Sequence, residues 1–110
     1  MSTEYKDKDG VLIVMPIERL DTGTAPEVDR EVMARIDAGA TKVVFDFERT
    51  SYVSSAGLRV VLKAAKTVVK GGGGVAVCRA NSHIMEVLEL SGFHVLIKVA
   101  RTVDQAIAAL

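Results

Sequence analysis

Segments with the two-residue period of a strand alternate with segments of helical period from residue 42 to the end of the chain, and a hairpin signal precedes them. Together these predict an α/β domain: a mixed, mostly parallel sheet of four to five strands, with about four helices gathered mainly on one side. Strand-helix-strand units close by right-handed crossovers, which makes their strands parallel, and the hairpin adds one antiparallel strand at the edge. A third observation puts the helices mainly on one side. In residues 42–47, Val43, Phe45 and Phe47 alternate with Lys42, Val44 and Asp46, so one sheet face is less buried than in a sheet covered on both faces.

Residues 3–8 and 11–17 read as strands around Asp9-Gly10, a dipeptide suited to a tight hairpin turn. Thr22 or Thr24 caps a helix running to about residue 38, with Pro26 tolerated in its first turn, Val28, Val32 and Ile36 on its buried side, and Gly39 ending it. A strand at 42–47 follows. Leu58, Val61, Leu62, Ala65 and Val68 then recur at helical spacing and define a helix at 55–70. Gly71 to Gly74 read as a helix stop with a flexible link; a phosphate-cradling loop follows a strand and opens a helix, and this run does the reverse. A strand at 75–79, a helix at 82–91, a strand at 95–99 and a helix at 103–109 complete the series. Thr102 and Gln105 have the spacing of a capping box for the last helix, whose Val103, Ala106, Ile107 and Leu110 share a face.

With 110 residues, 49% of them hydrophobic, the chain reads as one domain, 1–110, with enough apolar material for a core and no length for a fused catalytic or DNA-binding domain. Fourteen basic and fourteen acidic residues cancel, which argues against nucleic acid as the primary partner. Arg59, Lys63, Lys66 and Lys70 nevertheless fall on one side of the 55–70 helix, a solvated face able to meet an acidic partner. The longest apolar run, Val11 to Ile17, is far below the ~20 residues of a membrane-spanning helix. The polar start from Met1 to Asp9 is unlike a signal peptide, so a cytoplasmic protein without membrane insertion is expected.

Cys78 is the single cysteine and lies in an apolar strand, so no internal disulfide forms. Neither His83 nor His94 has metal-ligand spacing, and no Gly-x-Ser-x-Gly elbow surrounds Ser54 or Ser55. A hydrolase built on Ser55, Asp46 and a histidine has no local motif to select it. The expectation is a protein that is not an enzyme and needs no cofactor or metal.

The chemistry concentrates in the run from Thr50 to Leu62, where Ser54 and Ser55 stand at the passage from strand to helix. Backbone N–H groups of a helix's first turn lack intrahelical partners, and the helix dipole is positive at that end. A serine there caps the helix, and a phosphate on it is tolerated.

Three segments carry a family resemblance. The run from Asp46 to Leu58 resembles the core signature of the STAS family, the domain of bacterial anti-sigma factor antagonists and of sulfate transporter tails. The segment from Ile84 to Phe93 is similar to the family's later helix, which ends in Ser-Gly or Thr-Gly before an apolar residue; Gly92 would supply a left-handed C-terminal residue and Phe93 an apolar contact back onto the helix. Leu20-Asp21, followed by Thr24-Ala25, is similar to the family's Leu-Asp loop. Order and spacing fit one domain, and the resemblance covers nearly the whole chain.

The resemblance implies a short right-handed superhelix of strand-helix units. For the antagonist branch it also implies a partner switch: a serine-kinase anti-sigma factor binds the unmodified domain and releases its sigma factor, phosphorylation ends that binding, and a phosphoserine phosphatase restores it. The better-known antagonists read Asp-Ser-Ser/Thr-Gly-Leu-Gly, and the acceptor is the serine directly after the aspartate. Aligned on Gly57-Leu58, the acceptor corresponds to Ser55, the aspartate to Ser54 and the following residue to Ala56. The aspartate is thus absent, and Ser54 stands as the second candidate acceptor. Glu18 occupies the position where the family's Leu-Asp loop usually has glycine. The expected partner-binding residues are Asp21, Ser54, Ser55, Ala56, Gly57, Arg59 and Lys63. The alternative function is a STAS accessory subunit of a membrane lipid transporter that docks through the same helix without phosphorylation.

Overall fold

The computed structural model describes residues 3–90, 92 and 96–110. Its elements in chain order are β1 (Thr3–Lys8), β2 (Val11–Pro16), β3 (Glu18–Leu20), α1 (Ala25–Asp37), β4 (Lys42–Asp46), β5 (Thr50–Val53), α2 (Ser55–Lys70), β6 (Gly74–Cys78), α3 (Ser82–Leu90), β7 (Ile97–Ala100) and α4 (Val103–Ala108). A five-stranded sheet has the order β1-β2-β4-β6-β7. Only β1 runs antiparallel to its neighbour; Leu12 pairs with Val43, Val43 with Val75 and Val75 with Ile97 in parallel register. The hairpin closes through Asp9 and Gly10 at φ 54° and 79°, the two positive values that match the twist of the flanking strands.

Three helices cover one face and one covers the other. Leu12, Val14, Val43, Phe45, Val75 and Val77 point to the side packed by Val28 and Val32 of α1, Leu58, Val61 and Ala65 of α2, and Ile84 and Leu88 of α3. On the opposite side Val11, Ile13, Val44, Ala76 and Cys78 meet Ala106 of α4. Val44, read from the alternation as lying on the less buried face, is therefore fully buried. The six-residue helix buries Ala106 against the strands, and Val103, Ile107 and Leu110 pack around it, so even a short helix covers this face.

Several expected details take another form. A second, two-stranded parallel sheet joins β3 to β5, an addition to the predicted strands. The second half of the Gly71–Gly74 link is packed: a Cβ on Gly73 would stand 1.8 Å from the Thr41 carbonyl oxygen, and the Gly74 N–H bonds that same oxygen at 3.0 Å, while Gly71 and Gly72 are exposed. Thr24 occupies the N-cap position of α1, but its side chain makes no capping bond. At α4, Thr102 accepts from the Gln105 N–H at 3.0 Å as a capping box requires, while the Gln105 side chain receives the Arg101 N–H at 3.3 Å. Gly92 has the predicted left-handed φ of 69°; the expected contact of Phe93, the start of the strand at residue 95, and His94 lie outside the described residues.

Asp46, at the end of β4, is the one buried carboxylate among the described residues. Arg79 forks onto it with bonds of 3.0 and 2.7 Å and reaches Glu48 at 3.2 Å. Arg79 holds φ at 56°, a conformation that costs a residue with a side chain about 1 kcal/mol, and the two-pronged charged contact offsets it. Arg79→Met leaves the buried carboxylate without its counter-charge. Because the arginine is itself partly exposed, we expect a loss of about 2 kcal/mol in a denaturant titration, below the range for fully buried pairs.

Candidate functional site

The small β3–β5 sheet fixes the entry to α2. The Thr50 hydroxyl donates to the Pro16 carbonyl at 2.6 Å and the Ser51 hydroxyl to the Glu18 carbonyl at 2.9 Å, tying β5 to the end of β2 and to the start of β3. Val53 is buried, and the chain then turns into the helix at Ser54. Ser54 is the N-cap: its backbone is extended, its N–H donates to the Leu20 carbonyl at 3.0 Å, and its hydroxyl oxygen accepts the Gly57 N–H at 3.3 Å. Replacing Ser54 by alanine removes this cap, with an expected cost of about 0.5–1 kcal/mol, read as a fall in Tm of roughly 5 °C.

Ser55 differs from its neighbour. It is the first residue of α2 and exposed, and among the described residues no hydrogen bond engages its hydroxyl. Ala56 is half-buried and Gly57 fully buried. A Cβ on Gly57 would lie 2.3 Å from the Leu20 carbonyl oxygen and 2.9 Å from the Leu20 Cγ. Gly57 therefore acts by allowing α2 to seat against Leu20, the residue that also holds Ser54, and offers no side chain to a partner.

Leu20 joins the serines to the loop that contains Asp21. The Arg19 guanidinium bonds the Asp21 carboxylate at 2.8 Å and holds it below the usual carboxylate range, helped by the Gly23 N–H at 3.0 Å. The Thr24 hydroxyl accepts the Asp21 N–H at 3.0 Å and donates to the Arg19 carbonyl at 3.1 Å, which is why it does not cap α1. Glu18 adopts φ 70° at the irregularity between the β3 and β5 registers, the backbone conformation that favours glycine. The loop thus keeps a glycine-type shape with glutamate in place.

Three features went unread in the sequence. Tyr52 of β5 carries the Arg19 guanidinium 4.6 Å from its ring centroid, and the His83 ring stacks on it at 5.7 Å and 15°. Asn81 donates to the Ser51 carbonyl at 3.2 Å and accepts the Ile84 N–H at 2.8 Å, joining the start of α3 to the same surface. Arg59, Lys63, Lys66 and Lys70 of the basic stripe all stand exposed as expected, but Lys63 is in addition ion-paired with Asp29 of α1 at 3.1 Å. Between α1 and α2 runs a groove of about 380 Å³ with Ala25, Pro26, Ala56 and Val60 in its walls and Arg59 and Lys63 beside them.

Other chemistry has little support. Asp46, the carboxylate a hydrolase would need, is committed to Arg79. Burial, with the Asp46 charge beside it, pushes the Cys78 thiol up to about 12, leaving it protonated and unreactive. Among the described residues no three His, Cys, Asp or Glu side chains converge on a point where a metal would bind. A cleft of about 810 Å³ at the ends of β6 and β7 includes none of the serine-run residues.

Residues 2–106 match the STAS domain family. The chain is a STAS domain. It is 39% identical over 101 residues to BtrV of Bordetella bronchiseptica, assigned as an anti-sigma factor antagonist, covering 92% of this chain and 87% of that one. The crystal structure of a protein from Thermotoga maritima, also assigned as an anti-sigma factor antagonist, superposes with a TM-score of 0.91 at 24% identity, over 97% of this chain and 92% of that one. The Bacillus cell fate determinant SpoIIAA in its phosphorylated form superposes at 0.79 with 20% identity, over 98% of both chains. Both structures share the STAS fold with this chain. In this STAS domain, the first turn of α2 is capped by the neutral hydroxyl of Ser54 and leaves the next hydroxyl open.

Proposed function

We propose that this STAS domain is an anti-sigma factor antagonist, a non-enzymatic cytoplasmic regulator working by a phosphorylation-controlled partner switch. Its unmodified form binds a serine-kinase anti-sigma factor, which frees the sigma factor. Phosphorylation of Ser55 ends the binding, and a phosphoserine phosphatase reverses it. The observation that carries this reading is the division of labour between adjacent serines. Ser54 is bonded to the Gly57 N–H, while Ser55 is exposed at the positive end of a 16-residue helix and its hydroxyl has no hydrogen bond among the described residues. The fold that the chain shares with phosphorylated SpoIIAA accommodates a phosphoryl group.

In the transfer, the Ser55 hydroxyl oxygen forms a bond to the γ-phosphorus of ATP, the bond to the bridging oxygen breaks, ADP leaves, and the hydroxyl proton passes to a base of the kinase. The product adds about 1.5 to 2 negative charges. Against one partner carboxylate ~6 Å away, at an effective dielectric of ~20, each unit of charge costs roughly 2.8 kcal/mol. That alone weakens binding ~100-fold, so no refolding of the domain is required. Asp21, Ser54, Ala56 and Arg59 flank Ser55 as contact residues; Lys63 enters as an ion pair with Asp29, and Gly57 sets the position of the turn.

Incubation with candidate serine kinases and ATP, followed by mass spectrometry, tests the reading. Phosphate on Ser55 supports it. Stable co-purification with a membrane lipid transporter, without phosphate, replaces it with the docking-subunit role.

A further inference from the structure

We propose that Arg59 holds the phosphate of Ser55 within the same chain, so that modification both adds charge and withdraws a cation from the binding face. The inference rests on the reading of Ser55 as acceptor and goes beyond it by assigning a receptor for the modified group.

Ser55 and Arg59 are four residues apart on α2 and both exposed. Residues at this spacing are neighbours on a helix surface, and helical side chains lean toward the N-terminus, which directs Arg59 back toward Ser55. The anion stands N-terminal to the cation, the favourable order for such a pair. A guanidinium also presents paired N–H donors that match phosphate oxygens.

Arg59 is available for this. Among the described residues no hydrogen bond or ion pair engages its side chain, whereas Lys63, one turn further along, is already tied to Asp29 at 3.1 Å. From Ser55 to Lys70 the helix contains no acidic residue, so a phosphate on Ser55 becomes the first anion on α2. Ser54 does not compete, since its oxygen receives the Gly57 N–H. In the unmodified state Arg59 instead lines the groove between α1 and α2.

The test needs no kinase. Phosphoserine is incorporated at position 55 during synthesis, and the second ionisation of its phosphate is followed by ³¹P NMR in the otherwise native chain, in Arg59→Gln and in Lys66→Gln. Lys66 lies eleven residues from Ser55, ~16 Å along the helix and beyond the ~8 Å screening length at physiological salt. The native chain is expected to titrate about 0.3 pH below Arg59→Gln, with Lys66→Gln matching the native chain. Equal midpoints in the native chain and Arg59→Gln overturn the proposal, as does an equal rise in Lys66→Gln, which marks a diffuse field rather than a local pair. Because the phosphate is placed chemically, this result is independent of whether any kinase modifies Ser55; failure of kinase labelling removes the switch, and failure here removes only the role of Arg59.

Discussion

Ser55→Asp is expected to weaken binding of the proposed kinase partner about 100-fold in calorimetric titration while leaving the thermal unfolding curve unchanged or slightly raised. One permanent negative charge at the centre of the contact, ~6 Å from a partner carboxylate, costs roughly 2.8 kcal/mol. The fold does not suffer, because the side chain is exposed and an acidic residue at a helix start gains about 0.3–1 kcal/mol from the dipole. Undiminished affinity places Ser55 outside the interface. A collapsed fold denies that the residue is a surface group. Either outcome removes the basis of the switch.

Gly57→Ala is expected to cause a large loss of stability together with a loss of partner binding. The added methyl would sit 2.3 Å from the Leu20 carbonyl oxygen, a backbone atom that cannot swing aside. Either α2 lifts from β3 or the Leu20 peptide moves, at a cost of about 3 kcal/mol or slightly more, which outweighs the ~1 kcal/mol that alanine gains over glycine in a helix. The same Leu20 oxygen accepts the Ser54 N–H, so relief of the clash displaces the serine pair. Denaturant titration reads the stability, and binding measured well below the midpoint reads the displacement. Wild-type stability in Gly57→Ala shows that the close approach to Leu20 is not required.

The sequence revealed elements wherever a period runs long enough to read. The bounds of α2 follow from its apolar stripe, and the hairpin follows from Asp9-Gly10, because both signals are local. The β3–β5 ladder escaped because three residues of β3, two of them exposed, carry no alternation, and its pairing spans more than thirty residues of chain. The burial of Val44 escaped for a related reason. The apolar face of α4, with Val103, Ala106, Ile107 and Leu110, was legible, but which side of the sheet so short a helix packs on is set by tertiary structure.

At the site, the serines and the Leu-Asp loop were legible as motifs, but their junction at the Leu20 carbonyl was not, since a backbone acceptor leaves no trace in residue type. The pairing of Lys63 with Asp29 depends on how α1 lies against α2, and the stacking of His83 on Tyr52 depends on how α3 lies against β5. Both are set by tertiary packing. Glu18 shows the reverse case: the position where the resemblance expects glycine has the positive φ that explains the preference.

Phosphate mapping by mass spectrometry on the chain incubated with ATP and candidate serine kinases, in parallel with Ser55→Ala and Ser54→Ala, decides which hydroxyl is the acceptor. A single phosphate on Ser55, none in Ser55→Ala and continued labelling in Ser54→Ala is the pattern expected. Labelling of Ser54 in the unmodified sequence, or undiminished labelling of Ser55→Ala, contradicts it.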